Sequence, residues 1–327
     1  MILCIGEAVI DMFQKKAPDF EDVFIPLPGG CSYNTSIAIG KLFQSQKKSS
    51  VGFLGRISKN FFGDIQIQRL RDYNVNDNLI IRCDENPILA FIKTEEGKEP
   101  QYAFYDEGTA DRLLSEDELE SSLQKNPDLD ISCLVFGSVS MAMEPVASSI
   151  EDFLIKQAKR RNAVIAFDPN IRPFLIKDRE KYLERFKNWA SLCTIAKISS
   201  EDFEYIFPGI EPEEALQKML EMGTNLAIVT LGCKGAKALL RRGDGSVIQS
   251  SADGINISKT GDTVGAGDTF HGAFLAWLEL RGKLSRNAVV NLSENDLHDA
   301  LFFANKAAAV VCTRYGAQPP SLDEIKN

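Results

Sequence analysis

The sequence predicts an α/β fold: a mostly parallel sheet flanked by helices on both faces, with a small β-strand lid set into it. Three observations carry the prediction. Short apolar runs at Ile2–Ile5, Val51–Leu54, Leu134–Phe136, Val164–Phe167, Leu192–Ile195 and Leu226–Val229 are nearly free of polar residues, as strands buried on both faces are. Stretches of helix length, such as Val146–Arg161 and Glu213–Met222, lie between many of them, and repeated β-then-α order implies parallel pairing with helices on both sides. Two segments break this rhythm and look like short antiparallel strands.

The first such segment, Phe13–Pro28, carries Lys15, Lys16 and Pro18 before an extended-looking Val23-Phe24-Ile25. The second, Leu79–Tyr105, holds Ile80-Ile81-Arg82, Ile88–Ile92, a turn at Glu95-Glu96-Gly97-Lys98, and Tyr102–Tyr105. The expected division is a body of residues 1–12, 30–78 and 106–327 and a lid of residues 13–29 and 79–105. A length of 327 residues fits about two domains. The apolar runs close on Gly6-Glu7, Gly55-Arg56, Gly137-Ser138, Asp168-Pro169-Asn170, Lys197 and Thr230-Leu231-Gly232. Any one of these is an ordinary turn; together they mark the sheet edge where open α/β folds bind ligands.

Composition removes several function classes. Lys and Arg number 37 against 46 Asp and Glu, a net charge of −9, which argues against nucleic-acid binding. His271 and His298 are the only histidines, so a histidine-rich zinc site is excluded and a Ser-His-Asp triad has little to draw on. Cys4, Cys31, Cys83, Cys133, Cys193, Cys233 and Cys312 are scattered without a CxxC pair, the pattern of reduced thiols in a cytoplasmic protein. The first ten residues lack a basic stretch and include Glu7, unlike a signal peptide. Nothing reaches the apolar length of a membrane span.

The stretch Thr260–Phe274 carries the chemistry. Phe270, Ala273, Phe274, Trp277 and Leu278 recur at helical spacing, which predicts an amphipathic helix. Gly265-Ala266-Gly267 then lies at its N-terminus, where free N–H groups and the helix dipole favour an anion. Asp268 falls in the first turn. As a local feature it is a first-turn acid favoured by the dipole. As a functional one it takes the proton from a hydroxyl attacking a phosphoryl group held by the neighbouring N–H groups. Neither GxxxxGK[ST] nor GxGxxG occurs here, which disfavours a Walker-type or dinucleotide-binding protein.

At Asp262-Thr-Val-Gly-Ala-Gly-Asp268-Thr-Phe-His-Gly272 the sequence resembles the C-terminal signature of the ribokinase-like, or PfkB-type, sugar kinases. The resemblance covers nearly the whole chain. Gly6-Glu7-Ala-Val-Ile-Asp11, Gly29-Gly30 before Asn34, Gly55-Arg56, Phe62-Gly63-Asp64, Asp168-Pro169-Asn170 with Arg172, Thr230-Leu-Gly232-Cys-Lys-Gly235 and Phe303-Ala304-Asn305 follow in the family's order. The resemblance implies a ribokinase-like fold and an ATP-dependent kinase acting on a sugar hydroxymethyl group. By it, Asp268 is the catalytic base, and the backbone of Gly265, Ala266 and Gly267 is the anion hole. Asp11, Gly30 and Asn34 bind the sugar, and Arg172 faces the phosphates. Thr230, Gly232, Gly235 and Asn305 line the nucleotide. Asp202 and Asp262 are the metal-associated carboxylates, for Mg2+ and for K+ respectively.

Three positions depart from the family pattern. Ser32, itself small, stands two before Asn34 where Ala, Gly or Pro is frequent. Ser199-Ser200-Glu201-Asp202 replaces Asn-x-x-Glu. Asp106 follows Phe104-Tyr105 where an Arg is frequent. An inward Asp106 would repel an acidic sugar, which favours a neutral one. Asp168–Arg172 and Thr109-Ala-Asp-Arg112 look most like fructokinases, so the expected substrates are ATP and D-fructose. The alternatives are a 2-keto-3-deoxygluconokinase, a ribokinase or nucleoside kinase, and, from another class, a non-catalytic sugar-binding relative. The expected partners are the small sugar and, through edge pairing of Ile88–Ile92, a second copy of the chain; neither nucleic acid nor membrane is expected.

Overall fold

Strands of four to six residues, half of them buried along their whole length, form the centre of the computed structural model, which describes residues 1–17, 20–45, 50–93, 101–257 and 261–326. The main sheet has eight strands in the spatial order Val247–Ala252, Ala236–Arg241, Leu226–Thr230, Ile195–Ser199, Val164–Asp168, Cys133–Gly137, Ile2–Ile5, Val51–Leu54. From Leu226–Thr230 to Val51–Leu54 every pairing is parallel; the two remaining strands add antiparallel at one edge. The carboxyl ends of the parallel strands therefore open on one side of the sheet.

Alternate side chains feed two apolar layers. Ile2, Cys4, Val135, Val164 and Ile195 pack against the helices Cys31–Leu42, Ala266–Leu280 and Glu294–Val311. Leu3, Ile5, Phe136, Ile165 and Phe167 pack against Val146–Arg160, Arg179–Leu192 and Pro212–Glu221. This is a three-layer α/β architecture, as the resemblance implies.

Two expectations change here. The strand expected at Leu192–Ile195 lies at Ile195–Ser199, because Leu192 ends a helix and the strand carries a buried charge, Lys197, that hides it in the hydrophobicity pattern. The helix Ala266–Leu280 is not amphipathic: Asp268 through Leu278 are all buried. It is clamped between Cys31–Leu42 and Glu294–Val311, as a helix apolar on all sides must be.

The smaller sheet has four strands in the order Phe20–Gly29, Val9–Ala17, Leu89–Lys93, Gln101–Tyr105. It starts at Val9, earlier than the expected Phe13, and Ile81–Cys83 lies outside it, paired with Arg56–Ser58. Val9–Ala17 and Leu89–Lys93 run parallel, the others antiparallel. Leu89–Lys93 is thus flanked on both sides, with Ile88, Ala90 and Ile92 buried, so edge pairing through this segment is closed. Pro18, the expected turn at 95–98 and Thr260 lie outside the described residues.

Candidate active site

Asp268 stands in the first turn of the helix Ala266–Leu280, on the side where the parallel strands end. Its cap, Gly265, has φ 76, and a Cβ there would come within 2.5 Å of the Ala317 Cβ. Glycine is therefore required on both conformational and steric grounds. The Ala266 N–H donates to Thr263 O at 3.2 Å, leaving Gly267 and Asp268 as first-turn donors that the helix itself cannot satisfy.

The Asp268 carboxylate is buried. Asn34 Nδ2 donates to its Oδ2 at 2.8 Å, and Asn170 Nδ2 approaches its Oδ1 at 3.5 Å. Burial, with Asp168 beside it, pushes the Asp268 carboxyl up to about 6, against the hydrogen bonds from Asn34 and Cys31 and the charge of Lys197. A carboxylate in this range is ionised at neutral pH and still basic enough to accept a proton.

Asp11 reaches the same site from the lid strand Val9–Ala17. Burial, reinforced by Asp268 and opposed by Arg172, raises its carboxyl to about 7. Its side chain lies over Gly29, where any Cβ would overlap Oδ2. Gly30 has φ 104, and a Cβ on it would stand 2.9 Å from Glu7 O. Gly29→Ala should therefore displace the Asp11 carboxylate and raise the KM for sugar about tenfold, with kcat much less affected; unchanged steady-state kinetics would refute this placement.

Sequence reasoning missed the residues underneath. Glu7, fully buried, accepts from the Cys31 N–H at 2.9 Å and the Ser140 hydroxyl at 2.6 Å. The helix Cys31–Leu42 has no side-chain cap and no acid in its first turn, so Glu7 supplies both across the chain. Asn170, at φ 36, accepts from Arg172 Nη1 at 2.7 Å while facing Asp268. Its signal was present in Asp168-Pro169-Asn170, but its own role was not. Arg172 Nη1 also donates to the carbonyls of Asn170 and Ile171, so the guanidinium is held at the site's rim.

The nucleotide-side residues form a second group further along the same sheet edge. Thr230–Gly235 is the hairpin turn joining Leu226–Thr230 to Ala236–Arg241. Gly235 packs so closely on the Ala252 carbonyl that no side chain fits, while Gly232 faces open space. Asn305 donates to the carbonyls of Ala252 and Asp253 at 2.9 and 3.1 Å, so it fixes this wall and its amide is already engaged.

The two expected metal carboxylates also brace loops. Asp202 is the third residue of a capping box: its Oδ2 accepts from Ser199 N and its Oδ1 from Ile171 N, at 2.9 and 2.7 Å. Asp262 accepts from Val264 N at 2.9 Å and Gly316 N at 2.7 Å. Each oxygen of both accepts one backbone N–H, which fixes the carboxylate in place and leaves further lone pairs for a cation. Asp106 is also engaged, 2.6 Å from Arg112, so the unpaired inward charge that the sequence argument assumed is an ion pair instead.

A buried acid at a glycine-capped helix N-terminus faces a second acid on a lid strand, a geometry with the chemical means for phosphoryl transfer. The family described as pfkB family carbohydrate kinase matches residues 1–324. The chain belongs to this family. It is 33% identical to a fructokinase of Rhizobium leguminosarum bv. trifolii over 91% of this chain and 86% of that one. It is 29% identical to the probable fructokinase-7 of Arabidopsis thaliana, over 100% of this chain and 92% of the other. Among solved structures, fructokinase with bound ATP from Xylella fastidiosa superposes with a TM-score of 0.84 at 24% identity, covering 99% of this chain and 96% of that one. A fructokinase of Vibrio cholerae O395 in a fructose-, ADP- and calcium-bound form gives 0.78 at 24% identity, over 99% and 97%. Family membership makes the chain an ATP-dependent carbohydrate kinase on a ribokinase-like fold. Among the described residues no helix is long and apolar enough to cross a membrane.

Proposed function

We propose that this kinase phosphorylates D-fructose on its terminal hydroxymethyl group, giving ADP and fructose 6-phosphate, with Asp268 as the base. The carrying observation is the buried Asp268 carboxylate, held by Asn34 beside the open N-terminus of its helix. Asp11 and Asn34 orient the sugar. Asp268 takes the hydroxyl proton as the new O–P bond forms to the γ-phosphorus. The bond from that phosphorus to the bridging oxygen breaks, and its electron pair leaves with ADP. The N–H groups of Gly265, Gly267 and Asp268 stabilise the charge spread over the transferring phosphoryl, the Ala266 N–H being engaged by Thr263. Magnesium arrives with ATP as part of the substrate complex, and no step runs through a metal held by Asp202 or Asp262.

Fructose is favoured by the curated relatives, which are fructokinases, and a fructose-bound form is among the solved likenesses. Free cysteines, most of them buried, fit a reducing, cytoplasmic setting. For pairing of two copies, the closed edge of Leu89–Lys93 redirects the reading to the outer lid face. There Phe24, Phe91 and Tyr105 form a row with ring centroids 5.0 and 5.7 Å apart.

ADP release with Mg-ATP against fructose, ribose, 2-keto-3-deoxygluconate, adenosine and glucose tests the substrate. Fructose should give the highest kcat/KM, by tenfold or more over the others. Preference for the acidic sugar or for ribose would overturn the fructose assignment and leave the kinase intact.

A further inference from the structure

Directly beneath the proposed base lies a buried ion pair that the reaction as described does not use. Lys197 Nζ and Asp168 Oδ2 are 2.9 Å apart, and both side chains are almost wholly buried. Asp168 ends the strand Val164–Asp168, and Lys197 lies midway along the adjacent parallel strand Ile195–Ser199, one residue past the paired Phe167 and Ala196. The ammonium also sits under the glycine turn: a Cβ placed on Gly267 would be 3.1 Å from Nζ. A buried pair of this kind is a poor stability device, because taking two charges out of water offsets most of their attraction. Its position, between the helix N-terminus and the base, gives it another use.

We propose that Lys197 and Asp168 are positioning residues that set the basicity of Asp268 by opposing electrostatic effects, with the Lys197 ammonium also propping the Gly267 turn. This rests on Asp268 being the base. The titratable groups that face Asp268 are Asp11 from the lid strand, Cys31 from the helix Cys31–Leu42, Asp168 from the end of Val164–Asp168 and Lys197 from the middle of Ile195–Ser199; His271 lies on its own helix. Asp168 raises the Asp268 carboxyl and Lys197 lowers it. Burial alone would pull the Lys197 ammonium down, but Asp168 and Asp202 overcome it and hold it charged. His271 Nδ1 is 3.8 Å from Asp168 Oδ2, yet burial and Lys197 keep the imidazole neutral, near 3. With Lys197 in place, the ammonium and not the imidazole is Asp168's counter-ion.

The pair therefore makes a prediction of sign. In Lys197→Met, Asp168 acts on the base without compensation, and the acid limb of kcat moves up by about one pH unit. In Asp168→Asn, Lys197 acts alone, with Asp202 and Asp268 keeping it protonated, and the limb moves down by a similar amount. The double variant Lys197→Met with Asp168→Asn brings it back towards the wild type. A purely structural role lowers kcat in each variant without opposite displacements.

The measurement is the kcat–pH profile of the full-length protein with saturating Mg-ATP and fructose, for the wild type, the three variants and Asp268→Asn. Circular dichroism is recorded on each. Opposite shifts in the single variants support the inference. Shifts in the same direction, or none, overturn it. Should Lys197→Met fail to fold, the downward shift in Asp168→Asn, whose change is isosteric, decides alone. If Asp268→Asn keeps both its turnover and the acid limb, the base assignment fails and this inference falls with it. If Asp268→Asn is inactive while the other limbs stay fixed, only the role of the pair is lost.

Discussion

Replacing Asp268 by Asn lowers kcat by about a thousandfold, within the range that general bases contribute, while fructose still binds and the protein stays folded. The amide is nearly isosteric with the acid and can still accept from Asn34, so the geometry survives and the proton acceptor does not. The helix is clamped on all sides by apolar contacts, and one isosteric change in its first turn does not loosen it. Steady-state kinetics with a coupled ADP assay, together with a thermal melt, separate these effects. A variant retaining a tenth or more of the wild-type kcat would remove Asp268 from the chemistry.

Replacing Asp11 by Ala lowers kcat/KM for fructose about a hundredfold, mainly through KM. Asp11 is the lid's contribution to the site, lying over Gly29 and coupled to Asp268 and Arg172. Hydrogen bonds from sugar hydroxyls to a carboxylate contribute about 1.5–3 kcal/mol each when buried, and losing even one or two gives a factor of this size. Bound hydroxyls and Arg172 both favour the ionised form, against the burial that raises it. Isothermal titration of fructose into the variant checks the assignment; an unchanged Kd would place the sugar elsewhere.

Much of this site was legible in the sequence because local rules and tertiary demands agree there. Gly265 needs a left-handed backbone and no side chain. Gly29 and Gly30 need the same freedom from a Cβ beside Asp11 and Glu7. Parallel strands such as Ile2–Ile5 and Val51–Leu54 are apolar on both faces and appear at their expected bounds. What was hidden is what pairs across the chain. Lys197 reads as a break in an apolar run until Asp168 is placed 2.9 Å from it. Glu7 reads as a strand-end acid until it caps a helix that begins 24 residues later. Asp262 matched a family position and Asp202 stood in for a Glu, but their backbone N–H partners are not revealed by spacing alone. Asp106 needed the position of Arg112 before its charge could be judged.

The central claim is that a buried carboxyl at Asp268, held near 6, receives the proton during phosphoryl transfer. The most direct test is the single-turnover rate of phosphoryl transfer from Mg-ATP to fructose across the acid range, by rapid quench, in the wild type and in Asp268→Asn. The account predicts a wild-type rate that falls tenfold per pH unit below about 6, and a slow residual rate in the variant that shows no such break. A wild-type rate that stays level down to pH 5, or a break that persists in the variant, would contradict it.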